Sequence, residues 1–192
     1  REIRSYESEY PGSLWHLDFH HGSLRVITGQ GRWRRPIALG ILDDHSRLCC
    51  HLQWYLSETT EDLVHGFSQA IQKRGLPRAL MTDNAASMIA EEFIEGKLSL
   101  GILHEKTLPY SPHQNGKQER LWGTMEGRLM EMLEGVELTL DFLNQATQAW
   151  TEIEYNRAAH RELGVSPIER FSKTRDVLRS SPSSQGLREA VR

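Results

Sequence analysis

Three acidic residues lie where the sequence predicts that a strand or a helix could present them to one site. Asp18 lies within an alternating strand pattern, Asp83 directly follows a short apolar strand, and Glu119 lies in the first turn of a predicted helix. In a sheet covered by helices, such positions converge although they are distant in sequence. Neighbouring carboxylates repel one another unless a cation neutralises them. Oxygen ligands favour Mg²⁺ or Mn²⁺, and a pair of such ions roughly 3.5–4 Å apart serves phosphoryl transfer.

Each acid also has an ordinary structural explanation, and the pattern alone leaves both readings open. Asp83 is a candidate turn residue or helix N-cap, and Glu119 complements the dipole of its helix. Asp18 is the hardest to explain in this way, because Asp is depleted in the middle of strands. His16 and His20 share its strand face, but no Cys or His-x₃-His partner follows, so zinc is disfavoured.

The alternation that places Asp18 also predicts its strand. Trp15 and Leu17 fall on one face of residues 14–20, and His16 and Asp18 fall on the other. This period of two is typical of a strand with one buried face. The apolar side therefore faces a core, and Asp18 faces the opposite layer.

The remaining elements predict an α/β fold. The predicted strands span residues 14–20, 36–42, 48–56, 78–82 and 102–108. Predicted helices follow the start signature at 59–62, begin near residues 90 and 117, and include a last one around Leu143. Three strands joined by turns form an antiparallel meander, and the later helix–strand alternation adds two parallel strands. The expectation is a mixed five-stranded sheet covered by helices.

Two long helices have apolar stripes that predict their buried faces, and a loop precedes the first of them. The loop is expected over residues 109–116, which contain two prolines and a glycine. The first helix, 117–134, is expected to bury Leu121, Met125, Leu129 and Met132. The second is expected to bury Leu143, Ala146, Trp150 and Ile153.

Five segments of the sequence resemble the DDE-type integrase and transposase catalytic cores, the superfamily of retroviral integrases and many bacterial insertion-sequence transposases. The three signature blocks are matched by residues 15–18 (WHLD), 81–85 (MTDNA) and 110–120 (YSPHQNGKQER). Residues 43–47 (DDHSR) and 164–171 (GVSPIERF) resemble the family's second-strand turn and closing segment. Between Asp83 and Glu119 lie 35 residues, 84–118, which is the family's usual separation.

The resemblance implies an RNase H-like fold with Asp18, Asp83 and Glu119 as catalytic residues and metal ligands. It implies two Mg²⁺ (or Mn²⁺) ions, with Asp18 bridging both and each of the other acids completing one site. The implied activity is cleavage at the ends of a mobile element, followed by strand transfer of the 3′-hydroxyl into target DNA. A nuclease or resolvase that hydrolyses without joining, and an inactive DNA-binding module, are the alternatives.

DNA contacts are expected around the third block, and one position there departs from the family pattern. Asn115, Lys117, Arg120 and Arg128 are the predicted contacts. The family commonly has Lys or Arg seven residues after its Glu, but this sequence has Glu126. The turn acids Asp43 and Asp44 are expected to cap the backbone rather than to catalyse.

Composition sets the remaining expectations. Hydrophobic residues make up 38% and charged residues 26% of the 192 residues, as in ordinary globular domains, with a net charge of −3. The adjacent Cys49 and Cys50 suit neither a disulfide nor a metal site, which favours a cytoplasmic protein, bacterial in view of the resemblance. The catalytic core is assigned to residues 1–171, and the Ser- and Arg-rich residues 172–192 to a tail or linker that frays or leads onward. Expected partners are DNA and, on DNA, further copies of the chain; no membrane segment is expected.

Overall fold

The computed structural model describes residues 7–83, 85–106 and 112–190, and of residues 86, 106 and 112–115 only the backbone. The strands are β1 Leu14–His21, β2 Val26–Ile27, β3 Trp33–Arg34, β4 Ile37–Asp43, β5 Cys49–Tyr55, β6 Ala79–Thr82 and β7 Leu103–Lys106. The α-helices are α1 Thr60–Arg74, α2 Glu91–Ser99, α3 Pro112–Met125, α4 Leu140–Trp150, α5 Pro167–Lys173 and α6 Ser184–Ala190. None of the described helices is long and apolar enough to cross a membrane.

Five strands form one mixed sheet in the order β5-β4-β1-β6-β7. The β1, β4 and β5 strands pair antiparallel, whereas β6 and β7 extend the sheet in parallel from β1. The expected mixed sheet of three meander strands and two parallel strands is therefore confirmed. A short hairpin of β2 and β3 occupies the Gly-rich segment between β1 and β4.

The sheet separates two apolar layers, and β1 contributes a different kind of side chain to each. Trp15 and Leu17 pack with α1 and α2 in the first layer. The other face of the sheet packs against α3 and α4, through residues such as Leu42 and Trp54. Because strand side chains alternate, Asp18 points toward the α3 side, as the period of two predicts.

The capping of α1 agrees with the start and stop signals in the sequence. Thr59 and Asp62 form a reciprocal capping box at its N-terminus. Gly75 ends the helix with a φ of 96°, a conformation that favours glycine. This helix therefore begins and ends where local chemistry predicts.

Two π-helical turns displace the buried stripes that periodicity predicts. They follow α3 and α4 directly, at Glu126–Met130 and Thr151–Tyr155. A π turn takes up extra residues and rotates the side chains that follow it around the helix axis. Met132 and Ile153 are therefore 60% and 67% exposed, and their predicted burial was wrong. The predicted loop 109–116 was too long, since α3 already begins at Pro112; residues 107–111 lie outside the described part.

The predicted tail packs on the body of the domain over its described residues, 172–190. The backbone of Arg179 exchanges hydrogen bonds with that of Leu76, of 2.8 and 3.0 Å. Leu187 of α6 is buried in the first apolar layer. This segment is therefore not frayed, although the expected domain boundary at residue 171 stays a prediction.

Candidate active site

Asp18 lies in the middle of β1 and is bonded by a residue of α3. The indole Nε1 of Trp122 donates a hydrogen bond of 2.9 Å to Oδ2 of Asp18. Burial raises the pKa of Asp18 to about 6, the Trp122 bond opposes this, and the nearby charge of Asp83 adds to it. An ionised Asp18 is therefore costly in this setting unless positive charge approaches it.

Asp83 lies beside Asp18 because of the strand register. The parallel pairing of β1 with β6 places Leu17 opposite Thr82, and each acid directly follows its paired residue. Asp83 is half-buried, and its Oδ1 accepts a hydrogen bond of 2.8 Å from the backbone of Ala85. The turn role expected of this residue therefore coexists with its place beside Asp18.

Glu119 lies on α3, three residues before Trp122, and is exposed. The helix is held against the sheet where Gln118 Nε2 donates to the carbonyl of Gly40, at 3.2 Å. Gly40 is the antiparallel partner of Asp18, so this contact fixes α3 over Asp18. Glu119 is thus on the helix that bonds Asp18, one turn away along the helix.

The structure brings two of the three predicted acids together and places the third on the adjoining helix. Among the described residues, no three His, Cys, Asp or Glu side chains are arranged so that they could hold a metal ion. The donor set itself fits a hard cation, because Asp18 and Asp83 are carboxylates with mutual repulsion. The three-acid site stays a prediction.

A second group of residues supports Trp122 and accounts for the departure at Glu126. The ring of His20 stacks on Trp122, with centroids 5.0 Å apart and planes within 16°. His20 Nε2 lies 2.8 Å from Oε1 of Glu126, and the Ser23 hydroxyl donates to Oε2 of Glu126. The acid at this position therefore holds a neighbour of Asp18 in place.

The predicted DNA contacts lie in different surroundings. The ammonium of Lys117 is bound to Asp44 and is largely buried, whereas Arg120 and Arg128 are exposed. Arg120 pairs with Glu162 across a groove beside α3. The side chain of Asn115 lies outside the described part of the chain. All four contacts stay predictions.

The turn acids act as structural residues, as expected. Asp43 Oδ2 accepts hydrogen bonds from the backbone and hydroxyl of Ser46, at 2.9 and 2.6 Å. Asp44 does more than cap, since it accepts from His16 and pairs with Lys117. Burial alone would raise the pKa of Asp44, but these two partners outweigh it and hold the pKa far below its usual range.

Sequence reasoning did not find Trp122 or the role of His20 beside it. The spacing contains a signal for Trp122, because residues three apart share one helix face and Trp122 follows Glu119 by three. An aromatic ring with one N–H donor on the face of a candidate acid is a candidate partner of that acid. The pairing with His20 has no local signal, because it joins residues about a hundred positions apart.

The family model of the integrase core domain matches residues 8–112 of the chain. The chain is 22% identical over 188 residues to the transposase for transposon Tn552 from Staphylococcus aureus, covering 88% of this chain and 39% of that protein. It is 26% identical over 173 residues to the Gag-Pro-Pol polyprotein of bovine leukemia virus, covering 90% of this chain and 11% of the polyprotein. The chain thus spans only a minor part of these relatives.

Solved structures show the same fold. The chain superposes on a chain of the simian T-cell lymphotropic virus intasome with a TM-score of 0.73 and 18% identity, covering 93% of this chain and 60% of that one. Against the HTLV-2 integrase catalytic core domain in complex with magnesium, the TM-score is 0.65 with 22% identity, covering 86% and 99%. The fold class predicted from the sequence is therefore confirmed, because the chain has the fold of these integrase cores. More than half of the chain matches the family model, and it is a member of the integrase core domain family.

Proposed function

We propose that the chain is the catalytic core of a DNA transposase or integrase that cleaves element ends and transfers the resulting 3′-hydroxyl to target DNA. The observation that carries the proposal is the adjacency of Asp18 and Asp83 at the junction of β1 and β6, next to the helix that bears Glu119. Its relatives include a named transposase, and two structural neighbours, both of the HTLV-2 integrase core, were solved with magnesium.

The residues fit a site for divalent cations. Asp18 and Asp83 are both carboxylates, and burial together with their mutual repulsion disfavours two bare charges there. Asp18, Asp83 and Glu119 would hold the two Mg²⁺ or Mn²⁺ ions. When bound, such cations supply Lewis-acid activation of the attacking and leaving oxygens of a phosphodiester.

The protein groups would bind and orient these carboxylates. The N–H of Trp122 donates to Oδ2 of Asp18 and thereby fixes the rotamer of the carboxylate. Oδ1 of Asp18 does not take part in this bond. In the first reaction, a water oxygen bonds to phosphorus as the bond to the 3′-oxygen breaks, which leaves a 3′-hydroxyl. In the second, that hydroxyl attacks a target phosphodiester and displaces its 3′-oxygen. No covalent link to the protein is needed in either step.

We also propose that the active form is a multimer assembled on DNA. The solved neighbours carry the descriptions intasome, trimeric form and dimeric form. Light scattering of the chain alone and with a DNA end would measure this assembly. If the chain remains a monomer in DNA complexes that are active in joining, the proposal is wrong.

The test uses purified Asp18→Asn, Asp83→Asn and Glu119→Gln variants with a labelled, pre-cut 3′-hydroxyl DNA end and Mg²⁺ or Mn²⁺. Each variant is expected to lose joining by at least about a hundredfold while its circular dichroism and thermal unfolding resemble those of the unchanged protein. The matched control is Asp141→Asn, which removes an exposed acid on α4.

Full joining by any one of the three variants would overturn the assignment of that set. Persistent hydrolysis without a joined product in the unchanged protein would identify a nuclease instead. Calorimetry that detects no cation binding, even with DNA present, would identify an inactive DNA-binding module.

A further inference from the structure

A ridge on the outer side of α3 separates two depressions. Arg120, Thr124 and Arg128 form the ridge and line both depressions. The first depression also contains Glu119 and three glycines and has a volume of about 580 Å³. The second, of about 670 Å³, is closed on its far side by Tyr155 and residues 158–162, and is called the basic groove below.

The far wall of the basic groove is built by a firmly anchored segment. The side chain of Asn156 bonds both the N–H and the carbonyl of Cys49, at 2.9 and 3.1 Å. The backbone of His160 bonds Val165 and Gly164, each at 2.9 Å. This wall therefore has a defined shape before any ligand arrives, which lowers the entropic cost of binding.

The groove is positively charged although the whole chain has a net charge of −3. Three arginines line it, Arg120, Arg128 and Arg161, against a single acid, Glu162, among its lining residues. Glu162 pairs with Arg120, but their side chains are 48% and 52% exposed. An exposed pair of this kind is weak, so a stronger anion can displace Glu162.

Its dimensions and chemistry suit the phosphate backbone of DNA. Arginine guanidinium groups form bidentate hydrogen bonds with phosphate oxygens. From Arg120 to Arg128 the helix rises roughly 12 Å, which matches about three to four phosphates at about 3.4 Å of axial rise each. The exposed Ala158 and Ala159 on the far wall leave room for a backbone to approach closely.

We infer that the basic groove binds the phosphate backbone of one DNA strand on the side of the ridge away from Glu119, with Glu162 as the counter-ion that the DNA replaces. This inference rests on the proposed function, and it adds Arg161 and Glu162 to the residues that contact or control DNA. The ridge lies between the groove and the depression that contains Glu119, so the side chains of Arg120 and Arg128 separate a strand in the groove from Glu119.

The test measures binding of a fluorescent DNA duplex of arbitrary sequence by anisotropy, in EDTA so that no chemistry occurs, over a series of salt concentrations. Arg128→Gln and Arg161→Gln are each expected to weaken binding about five- to tenfold and to reduce the salt slope of log K by about 0.7–0.9. Glu162→Gln is expected to strengthen binding at low salt. The matched control, Arg188→Gln, removes an exposed arginine of α6 beside the opposite face of the sheet and should change neither quantity.

Unchanged salt slopes in both arginine variants would overturn the groove assignment, and so would a change in oligomeric state of Arg161→Gln without DNA, which would indicate a contact between copies. Joining assays on the same proteins separate the two ideas. If the arginine variants join DNA normally and keep their salt slopes, the groove proposal is wrong and the strand-transfer proposal stands. If the arginine variants have reduced salt slopes but the unchanged protein does not join DNA, the groove proposal stands and the strand-transfer proposal is wrong.

Discussion

Trp122 donates its indole N–H to the carboxylate of Asp18 over 2.9 Å, across 104 positions of sequence. The bond couples the central strand of the sheet to the helix that bears Glu119. Since His20 stacks on the same indole and is held by Glu126, the orientation of Asp18 depends on a chain of contacts between β1 and α3.

Replacing Trp122 by Phe tests this coupling, because the ring still fills much of the space while the N–H is lost. We expect a loss of about 1.5–3 kcal/mol in the free energy of unfolding, typical of a hydrogen bond to a charged group. DNA joining should fall more than stability does, because Asp18 loses its fixed orientation. Urea unfolding and a joining assay measure the two effects.

The control for that substitution is Trp150→Phe. Trp150 lies in the same apolar layer, and its indole N–H has no hydrogen-bond partner among the described residues. Its replacement should therefore leave joining close to normal. Equal losses of joining in the two variants would show that Trp122 acts only through packing.

Gly40 is predicted to be intolerant of any side chain. A Cβ there would lie 2.8 Å from Nε2 of Gln118 and would overlap the ring of Trp122. Gly40→Ala should therefore push α3 away from the sheet and cost about 1–3 kcal/mol, with a loss of joining. The matched control is Gly123→Ala on the same helix, where no described atom beyond the chain neighbours and the helix's own backbone lies within 4 Å of an added Cβ. It should stabilise the protein by up to about 1 kcal/mol in thermal unfolding, and destabilisation of similar size in both variants would contradict the prediction.

Glu126 is predicted to be needed as a hydrogen-bond acceptor. Glu126→Lys provides the residue type that the family commonly has at this position, but lysine cannot accept from Ser23 or His20. We expect it to lower the free energy of unfolding by about 1–2 kcal/mol, whereas Glu126→Gln, which still accepts, should lose less than half of that. Chemical denaturation compares the two. Equal stability of the Lys and Gln variants would rule out the acceptor role.

His51 makes stability depend on pH. Its side chain is buried, and burial lowers its pKa from 6.5 to about 4, while the bond to Gln53 partly opposes the shift. The folded protein then binds fewer protons than the unfolded chain between these values. Above pH 6.5 the titration of His51 therefore does not lower the free energy of unfolding. As the pH drops toward 4, it lowers the free energy of unfolding by up to about 3 kcal/mol.

The raised pKa of Asp18 acts with the opposite sign in part of the same range, so the informative quantity is a difference between proteins. Subtracting the pH profile of His51→Gln from that of the unchanged protein should isolate the fall toward acid. His51→Phe removes the same proton site and should give the same difference in shape, although its absolute stability differs. A flat difference with both variants would show that His51 does not titrate in this range.

Local patterns in the sequence determined where the main elements begin and which way β1 faces. The alternation of residues 14–20 predicts the side on which Asp18 lies, and Thr59 with Asp62 predicts the start of α1. These features depend on neighbours within a few residues, so the sequence alone contains them. The mixed sheet of three antiparallel and two parallel strands followed from the same signals, because meander strands and helix–strand alternation permit few sheets.

Only the tertiary structure decided what surrounds the acids. Two π turns rotated the ends of the long helices and exposed Met132 and Ile153, which a constant helical period places in the core. Packing between β1 and α3 also determined that Trp122 bonds Asp18 and that Glu126 supports His20. Such contacts join residues about a hundred positions apart, and their geometry is set by how the layers pack, which no local period records. The sequence determined that Asp18 lies on the face of the sheet opposite Trp15, and the tertiary structure decided which residue of the layer on that face bonds it.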